Sequence, residues 1–204
     1  MIHFITPLYR YDNIKRLYIN LLHQLGGCNF NWHLIEGSNK LGNADLSEVL
    51  RDDRVKYYKI DTVYPWGHEQ RNHFICNITC NDLDWCYFLD DDNMITGDLV
   101  DSYIEDDINL DLDVILFAQK AGVTDKIRIY VKNKNSLGCG STDIGSFLIR
   151  YRLLKTLFIH FASERNGDGL LAESIKQVLP SDSALKIYPN RYTRYNVFSH
   201  KEIV

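Results

Sequence analysis

The sequence alternates between short runs of β-branched or aromatic residues and longer stretches in which apolar residues recur with helical spacing. This alternation is typical of α/β domains. The predicted strands are 2–7, 31–38, 54–61, 84–90, 112–118, 127–131, 143–149 and 185–188, and the predicted helices are 12–25, 45–51, 67–80, 151–160 and one from about Asp168. We therefore expect an α/β fold with a mixed, mostly parallel central sheet flanked by helices.

The first helix has the clearest boundaries. Asp12 is its predicted N-cap, and Gly26 with Gly27 is its predicted end. Its predicted buried face consists of Ile14, Leu17, Tyr18, Leu21, Leu22 and Leu25.

Composition and length limit the class of protein. A chain of 204 residues with 45% hydrophobic and 25% charged residues can bury one core, and no linker divides it, so we expect a single domain over 1–204. No apolar run approaches the roughly 18 residues that span a bilayer, and the start MIHFITPLYR lacks the features of a signal peptide. We expect a soluble, cytoplasmic protein with no transmembrane segment, either alone or as one module of a larger polypeptide.

Charge and cysteine content exclude two further classes. The net charge of −4 argues against a nucleic-acid-binding protein, which normally has a basic face. The five cysteines include no C-x-x-C pair, so we expect buried, reduced thiols rather than a zinc or redox site; they are Cys28, Cys76, Cys80, Cys86 and Cys139.

Three of the predicted strands end in residues of chemical interest. The first ends in "TPLYR", the second in "EGS" and the fourth in "DDDN". Because ligands of open α/β sheets bind outside the carboxyl ends of the strands, these segments should meet in one crevice.

The triplet Asp90, Asp91 and Asp92 follows a strongly apolar strand. Like charges about 4 Å apart repel by roughly 4 kcal/mol at an effective dielectric constant of about 20. A divalent cation such as Mg²⁺ or Mn²⁺, bridging these carboxylates to a diphosphate, would remove that repulsion. The alternative is a solvated acidic turn that binds nothing.

Five segments together resemble a known family. "YFLDDDN" resembles the D-x-D element of GT-A glycosyltransferases, and most closely the "YFADDDN" of the inverting β-1,3-glucuronyltransferases. "ITPLYR", "WHLIEGS", "GHEQRN" and "TDIGSFLIR" are similar to that family's "ITPTY", "W-L-V-V-E-D-A", "G-T-M-Q-R-N" and "I-D-M-A-G-F-A-V-N", in the same order over residues 2–150. In size and composition, the chain also resembles the small capsid-glycosylating glycosyltransferase domain of a large algal (chlorella) virus.

The resemblance implies a GT-A (Rossmann-like) domain with a nucleotide-binding part at about 1–95 and an acceptor-binding part at about 96–204. It implies metal coordination by Asp92, helped by Asp90 and His200, and a ribose contact by Asp90. The nucleotide sugar would also contact Thr6, Pro7, Tyr9, Arg10, Glu36, Arg71 and Asp91. Tyr9 could instead be a core residue, and Arg71 a surface arginine.

The resemblance also implies a catalytic base and acceptor contacts. Asp168 is our choice for the base, with Glu173 and Glu164 as alternatives, although Asp168 could simply cap a helix. Asp143 and Trp66 would contact the acceptor; the alternatives are a turn residue and a loop anchor.

The chain departs from the family at Gly37, where the family has the Asp that contacts the uracil edge, so the identity of the base stays open. We expect a metal-dependent transfer of a hexose or deoxyhexose from a nucleoside diphosphate sugar, with UDP favoured, to a glycan or glycoprotein acceptor with inversion. The sugar could be glucose, rhamnose or glucuronate. The alternatives are a nucleotidyltransferase and a non-catalytic carbohydrate-binding module.

Overall fold

The computed structural model describes residues 1–42, 44–63, 67–122, 124, 126–129, 131, 137, 142–157, 167–179 and 181–198, with the side chains of residues 39 and 40 excepted. Within these residues the strands are β1 (Ile2–Arg10), β2 (Phe30–Leu41), β3 (Val55–Lys59), β4 (Trp85–Phe88), β5 (Val114–Ala121), β6 (Ile127–Ile129), β7 (Phe147–Arg150) and β8 (Leu185–Tyr195). The helices are α1 (Tyr11–Leu25), α2 (His68–Asn77), α3 (Gly97–Asp106), α4 (Tyr151–Thr156) and α5 (Gly167–Val178).

The eight described strands form one sheet, with the order β3-β2-β1-β4-β7-β5-β6 and with β8 paired to β5. β1, β2, β3 and β4 pair in parallel, and β8 pairs in parallel with β5. β7 runs antiparallel to both β4 and β5, and β6 runs antiparallel to the end of β5. The mixed, mostly parallel sheet predicted from the sequence is therefore confirmed.

This topology brings distant segments to one edge of the sheet. β1, β2 and β4 end there because they are parallel, and β7 begins there because it runs the opposite way. The segments that the sequence singled out before β7 and after β1, β2 and β4 therefore lie along the same edge.

The core consists of one apolar layer on each face of the sheet, because successive strand residues point to opposite faces. Phe4 and Tyr87 belong to the layer that includes residues of α1 and α3. Ile5 and Phe88 belong to the layer that includes residues of α2, α4 and α5. Helices thus flank the sheet on both faces, as expected.

Several predicted boundaries were wrong. Arg10 rather than Asp12 occupies the N-cap of α1, because β1 runs directly into the helix at Tyr11, and the cap makes no side-chain hydrogen bond. The helix expected at 45–51 is one 3₁₀ turn, Val49–Arg51, and α2 ends at Asn77 rather than at residue 80.

The sequence prediction missed one helix and part of one strand. α3 (Gly97–Asp106) was not among the helices predicted from the sequence. β8 continues to Tyr195 because β5 pairs with it on both sides of an irregularity at residues 189–191, which the polar residues of β8 do not indicate.

The described cysteines are all free thiols, in agreement with the expected reduced state. Cys86 is buried, and Cys28 and Cys80 are partly buried, but Cys76 is exposed near the end of α2, so its expected burial was wrong. Cys139 lies outside the described residues. Among the helices of the described ranges, none is long and apolar enough to cross a bilayer.

Gly67 fixes the position of α2 against the end of β1. Its φ angle is +74°, and a Cβ atom built there would lie 2.8 Å from Cβ and 2.9 Å from Cγ of Pro7. Only glycine combines this backbone conformation with so close an approach.

Replacing Gly67 by Ala should therefore destabilise the fold more than replacing Gly122, which has a φ of +56° and open space around its Cβ position. Both variants place an alanine at a positive φ, which costs free energy, but only the new methyl group of Gly67→Ala would clash with Pro7. We expect the free energy of unfolding, measured in urea, to fall by about 1–3 kcal/mol more for Gly67→Ala. Equal losses in the two variants would contradict the close approach.

Candidate active site

The candidate site is built around the turn of residues 90–93, here called the acidic turn. Leu89 continues the pairing of β4 with β1 through a hydrogen bond from its N–H to the carbonyl of Ile5, at 2.9 Å. The turn is then closed by a bond from the N–H of Asn93 to the carbonyl of Asp90, at 3.0 Å. The acidic turn thus lies near the middle of the sheet edge, between β1 and β7.

Asp91 joins the acidic turn to the end of β1. Its Oδ2 accepts hydrogen bonds from the backbone N–H groups of Tyr9 (2.7 Å) and Arg10 (2.5 Å), and its Oδ1 accepts one from Nη1 of Arg10 at 2.6 Å. Burial raises the pKa of Asp91, although these contacts with Arg10 and Tyr9 act in the opposite direction. Asp91 is only 2% exposed and holds two elements together, which differs from the expected contact with the nucleotide.

Asp92 is the strongest candidate for a metal-binding carboxylate. Its Oδ2 lies 3.0 Å from Nη1 of Arg10. Burial, together with the nearby charges of Asp90 and Asp91, outweighs Arg10 and raises the pKa of Asp92 to about 7. A further positive charge beside this carboxyl group would stabilise its ionised form.

Asp90 is partly exposed and pairs with the guanidinium of Arg71, which is only 4% exposed. Burial alone would lower the pKa of Arg71, but the carboxylates of Asp90, Asp168 and Asp143 more than offset it and raise the pKa above its ordinary value. Arg71 is therefore a buried cation within an acidic cluster, not the surface arginine considered as an alternative.

Asp168, in the first turn of α5, lies close to the same cluster. Burial raises its pKa to about 6, and the charges of Asp143 and Asp90 add to this effect while Arg71 opposes it. Its Oδ1 is buried and has no hydrogen-bond partner among the described residues. The carboxyl group therefore has one buried oxygen without a hydrogen-bond partner among the described residues, and a pKa raised toward neutrality.

The close contact between His68 and Gly167 positions the start of α5. A Cβ atom at Gly167 would lie 2.3 Å from Cε1 of His68, so a larger residue would push α5 away. Burial, followed by the charge of Arg71, lowers the pKa of His68 to about 4, so the imidazole is neutral at pH 7.

Asp143 caps the 3₁₀ turn Ile144–Ser146, just before β7. Its Oδ1 accepts hydrogen bonds from the N–H of Gly145 (2.9 Å) and from Nε2 of Gln119 (3.2 Å). Its Oδ2 accepts a hydrogen bond from Nη1 of Arg128 at 2.7 Å. The expected contact with an acceptor stays a prediction, and the turn role considered as its alternative is present.

The end of β1 differs in part from the expected nucleotide surface. Thr6 is fully buried, and its Oγ1 accepts from Nε1 of Trp32 at 2.9 Å, so its side chain faces the core. Pro7 is buried beneath Gly67. Tyr9 is partly exposed, with the guanidinium carbon of Arg10 5.5 Å from its ring centroid.

Other candidate residues fall into two groups. Glu36 is 1% exposed. Its Oε2 accepts a hydrogen bond from the hydroxyl of Tyr57, and its Oε1 lies 3.6 Å from Nζ of Lys59. Glu173 is exposed on α5. Trp66, Glu164 and His200 lie outside the described residues.

Sequence reasoning missed several contacts of the site. The N–H of Phe198 donates to the carbonyl of Asp92 (3.0 Å), and the N–H of Asn196 donates to Oδ1 of Asn93 (2.9 Å). Gln119 and Arg128 bind Asp143 from β5 and β6. None of these residues belongs to a recognisable motif, so the local sequence does not indicate them.

The described residues contain no group of three or more His, Cys, Asp or Glu side chains arranged to hold a metal ion. Asp90 and Asp92 nevertheless provide two carboxylates on one turn. Burial and the neighbouring carboxylates raise the pKa of Asp92, and a bound cation would stabilise its charged form. One or two carboxylates plus substrate phosphates are the usual ligands of Mg²⁺. These residues therefore fit a divalent ion that completes its coordination on a ligand.

No protein-family model matches the chain, and a comparison with curated protein sequences finds no match. The fold, in contrast, is similar to several solved structures. TarS 1–349 of S. aureus in complex with UDP-GlcNAc has a TM-score of 0.65 at 15% identity, over 95% of this chain and 58% of that one. The mannosyltransferase PcManGT from Pyrobaculum calidifontis, in complex with GDP-Man and Mn²⁺, has a TM-score of 0.62 at 10% identity, over 98% of this chain and 58% of that one.

A third similar structure is glucosyl-3-phosphoglycerate synthase from Mycobacterium tuberculosis, in complex with Mn²⁺, UDP and glucosyl-3-phosphoglycerate. Its TM-score is 0.58 at 15% identity, over 92% of this chain and 68% of that one. Together these structures confirm the predicted GT-A, Rossmann-like fold. This chain spans between 36% and 60% of the TarS chains that it matches.

The contacts of Asp91 lead to a stability prediction. Asp91→Ala should leave two backbone N–H groups without their buried acceptor and Arg10 without one of its two carboxylate partners. It should lower the free energy of unfolding, measured in urea, by about 3 kcal/mol. Asp101→Ala, at an exposed position of α3, is the control and should change it by less than about 0.5 kcal/mol. Similar values for the two variants would rule out this role of Asp91.

Proposed function

We propose that this chain is a glycosyltransferase. It transfers a hexose or deoxyhexose from a nucleoside diphosphate sugar, with UDP as the expected nucleotide, to a glycan or glycoprotein acceptor. The proposal depends most on Asp168, a carboxyl group with a buried, unpartnered oxygen and a pKa raised to about 6, close to the Asp90–Arg71 pair at the sheet edge. The bound nucleotides and nucleotide sugars of TarS, PcManGT and the synthase support it.

Asp90 and Asp92 would hold Mn²⁺ or Mg²⁺, with His200 as a further expected ligand. When bound, the ion would stabilise the negative charge of the departing diphosphate. Mn²⁺ is present in the structures of PcManGT and of the synthase. Arg10 and Arg71 neutralise part of the charge of the acidic cluster, and this allows it to remain partly buried before a ligand binds.

The chemistry that we propose is a single displacement. The acceptor hydroxyl oxygen attacks the anomeric carbon as the bond from that carbon to the diphosphate breaks, and this inverts the configuration. Asp168 takes the proton of the hydroxyl as the general base. Because the pKa of His68 is about 4, this residue is neutral at pH 7 and adds no positive charge beside the start of α5.

The finer assignments belong to this proposal too. The motifs favour the inverting β-1,3-glucuronyltransferases over other GT-A enzymes, and the resemblance to the viral capsid-glycosylating domain is a second option. We propose one domain over residues 1–204, with the nucleotide part at about 1–95 and the acceptor part at about 96–204. The cytoplasmic location stays a prediction.

Nucleotide binding tests the metal ligands. Calorimetry should detect binding of UDP with Mn²⁺ that EDTA abolishes, and Asp92→Ala should weaken it about 10-fold or more. Since Asp92 has a pKa of about 7 and must lose its proton to bind a cation, affinity for Mn²⁺ should increase as the pH rises through about 7. Asp111→Ala, at an exposed position, is the control. If Asp92→Ala binds as tightly as the native chain, the metal assignment is wrong.

Transfer kinetics test the base. Asp168→Asn should lower kcat by about 10²–10⁴-fold and leave UDP affinity nearly unchanged. In the native enzyme with saturating Mn²⁺, kcat/KM should rise with pH through about 6 and then level off, because only ionised Asp168 can accept a proton. Glu173→Gln, at an exposed position of α5, should match the native enzyme. Unchanged turnover in Asp168→Asn would eliminate this base, and nucleotide binding without transfer by the native chain would favour a non-catalytic module.

A further inference from the structure

Gly37 lies in the C-terminal half of β2. It has no side chain, and another residue occupies the space that a side chain would fill. A Cβ atom built at Gly37 would lie 2.4 Å from Nε2 of Gln70 and 2.6 Å from Oγ1 of Thr62. The Gln70 amide, which comes from α2, therefore fills the volume that a side chain at residue 37 would need. A larger residue at Gly37 would displace it.

The Gln70 amide is buried but incompletely hydrogen-bonded. Gln70 is only 6% exposed, and its Oε1 accepts no hydrogen bond among the described residues. A buried carbonyl oxygen without a donor is destabilising, and most buried polar atoms in proteins have a partner. The missing donor is a physical reason to look for a ligand at this point.

The position of Gln70 in the site indicates which part of a ligand it meets. Gln70 directly precedes Arg71, which pairs with Asp90 of the acidic turn. Asp168 lies on the other side of that turn, near Asp143 and the start of β7. Along the edge β3-β2-β1-β4-β7, Gln70 is thus on the β2 side of the acidic turn and Asp168 on the β7 side.

A nucleoside diphosphate sugar has its diphosphate in the middle, with the sugar at one end and the base at the other. If the diphosphate lies at the acidic turn and the sugar near Asp168, the base lies over the ends of β1 and β2. The other carboxylate at this end, Glu36, is bonded to Tyr57 and close to Lys59. Gln70 therefore provides, among the described residues, a buried acceptor on the base side that has no hydrogen-bond donor.

We propose that Gln70 recognises the nucleobase and favours bases with a lactam edge, which is a ring N–H next to a carbonyl. Oε1 would accept a hydrogen bond from the ring N–H, and Nε2 would donate a hydrogen bond to the adjacent carbonyl. Uracil and guanine have this edge, whereas cytosine and adenine have an unprotonated ring nitrogen next to an amino group. The inference rests on the proposed function and adds a base-selecting residue to it.

The test compares ligands with and without a base. Calorimetry with Mn²⁺ would measure UDP, GDP, CDP, ADP and, as the base-free probe, pyrophosphate. Native protein should bind UDP or GDP more tightly than CDP and ADP. Gln70→Met, which keeps the length of the side chain and removes the amide, should weaken the preferred nucleotide about 10-fold or more and leave pyrophosphate unchanged. Asn77→Met, at an exposed amide of the same helix, should leave all affinities unchanged.

Thermal melting without ligand separates recognition from a structural role. Removing a buried, unpaired oxygen should leave the melting temperature of Gln70→Met equal to or above that of the native protein. Should Gln70→Met fail to fold, Gln70→Glu provides the second variant. It keeps an acceptor and loses the donor. It should also weaken the binding of UDP and GDP but not that of pyrophosphate.

The outcomes distinguish this inference from the proposed function. Three results would overturn base recognition by Gln70 and leave the proposed function standing. They are an equal loss of pyrophosphate and nucleotide affinity in the Gln70 variants, an unchanged nucleotide affinity in both variants, and a preference of the native protein for CDP or ADP. If the native protein binds neither pyrophosphate nor any nucleotide, the proposed function fails, and this inference fails with it.

Discussion

The buried carboxylate of Asp91 joins the end of β1 to the acidic turn, and the arrangement of the whole site depends on this contact. Asp91 accepts two backbone hydrogen bonds and one from the guanidinium of Arg10, which in turn lies beside Asp92. One member of the triplet is thus structural, and its anchoring fixes where the other two can lie. Three adjacent carboxylates are tolerated because each one has a partner. Arg71 pairs with Asp90, and the guanidinium of Arg10 contacts both Asp91 and Asp92, while Asp91 also accepts the two backbone hydrogen bonds.

The site combines buried cations with a larger number of carboxylates, and this balance determines its chemistry. Arg71 is buried among Asp90, Asp143 and Asp168, and these charges hold it protonated despite its burial. Burial and, to a smaller extent, the neighbouring carboxylates raise the pKa values of Asp92 and Asp168 in spite of these cations. A cation would reduce the repulsion between the carboxylates at Asp92, whereas burial, the largest cause of the raised pKa of Asp168, would remain.

The fold class could be predicted from the sequence because it depends on local periodicity, and the acidic turn because it directly follows an apolar strand. Most of the predicted face of α1 is buried, although Leu22 is 37% exposed. Contacts between distant segments could not be predicted in this way. The contact of Gly37 with Gln70 and the partners of Asp143 depend on how α2, β5 and β6 pack, and no local pattern specifies that packing.

The backbone contacts of Asn196 and Phe198 with the acidic turn have a consequence for how the protein is made. During synthesis the acidic turn leaves the ribosome long before these residues do, and β5 and β8 also follow it. The first four strands can pair while the rest of the chain is still being translated, but the turn obtains its full set of hydrogen bonds only after residue 198 has emerged. A nascent chain halted before that point would have much of the sheet and an unfinished crevice.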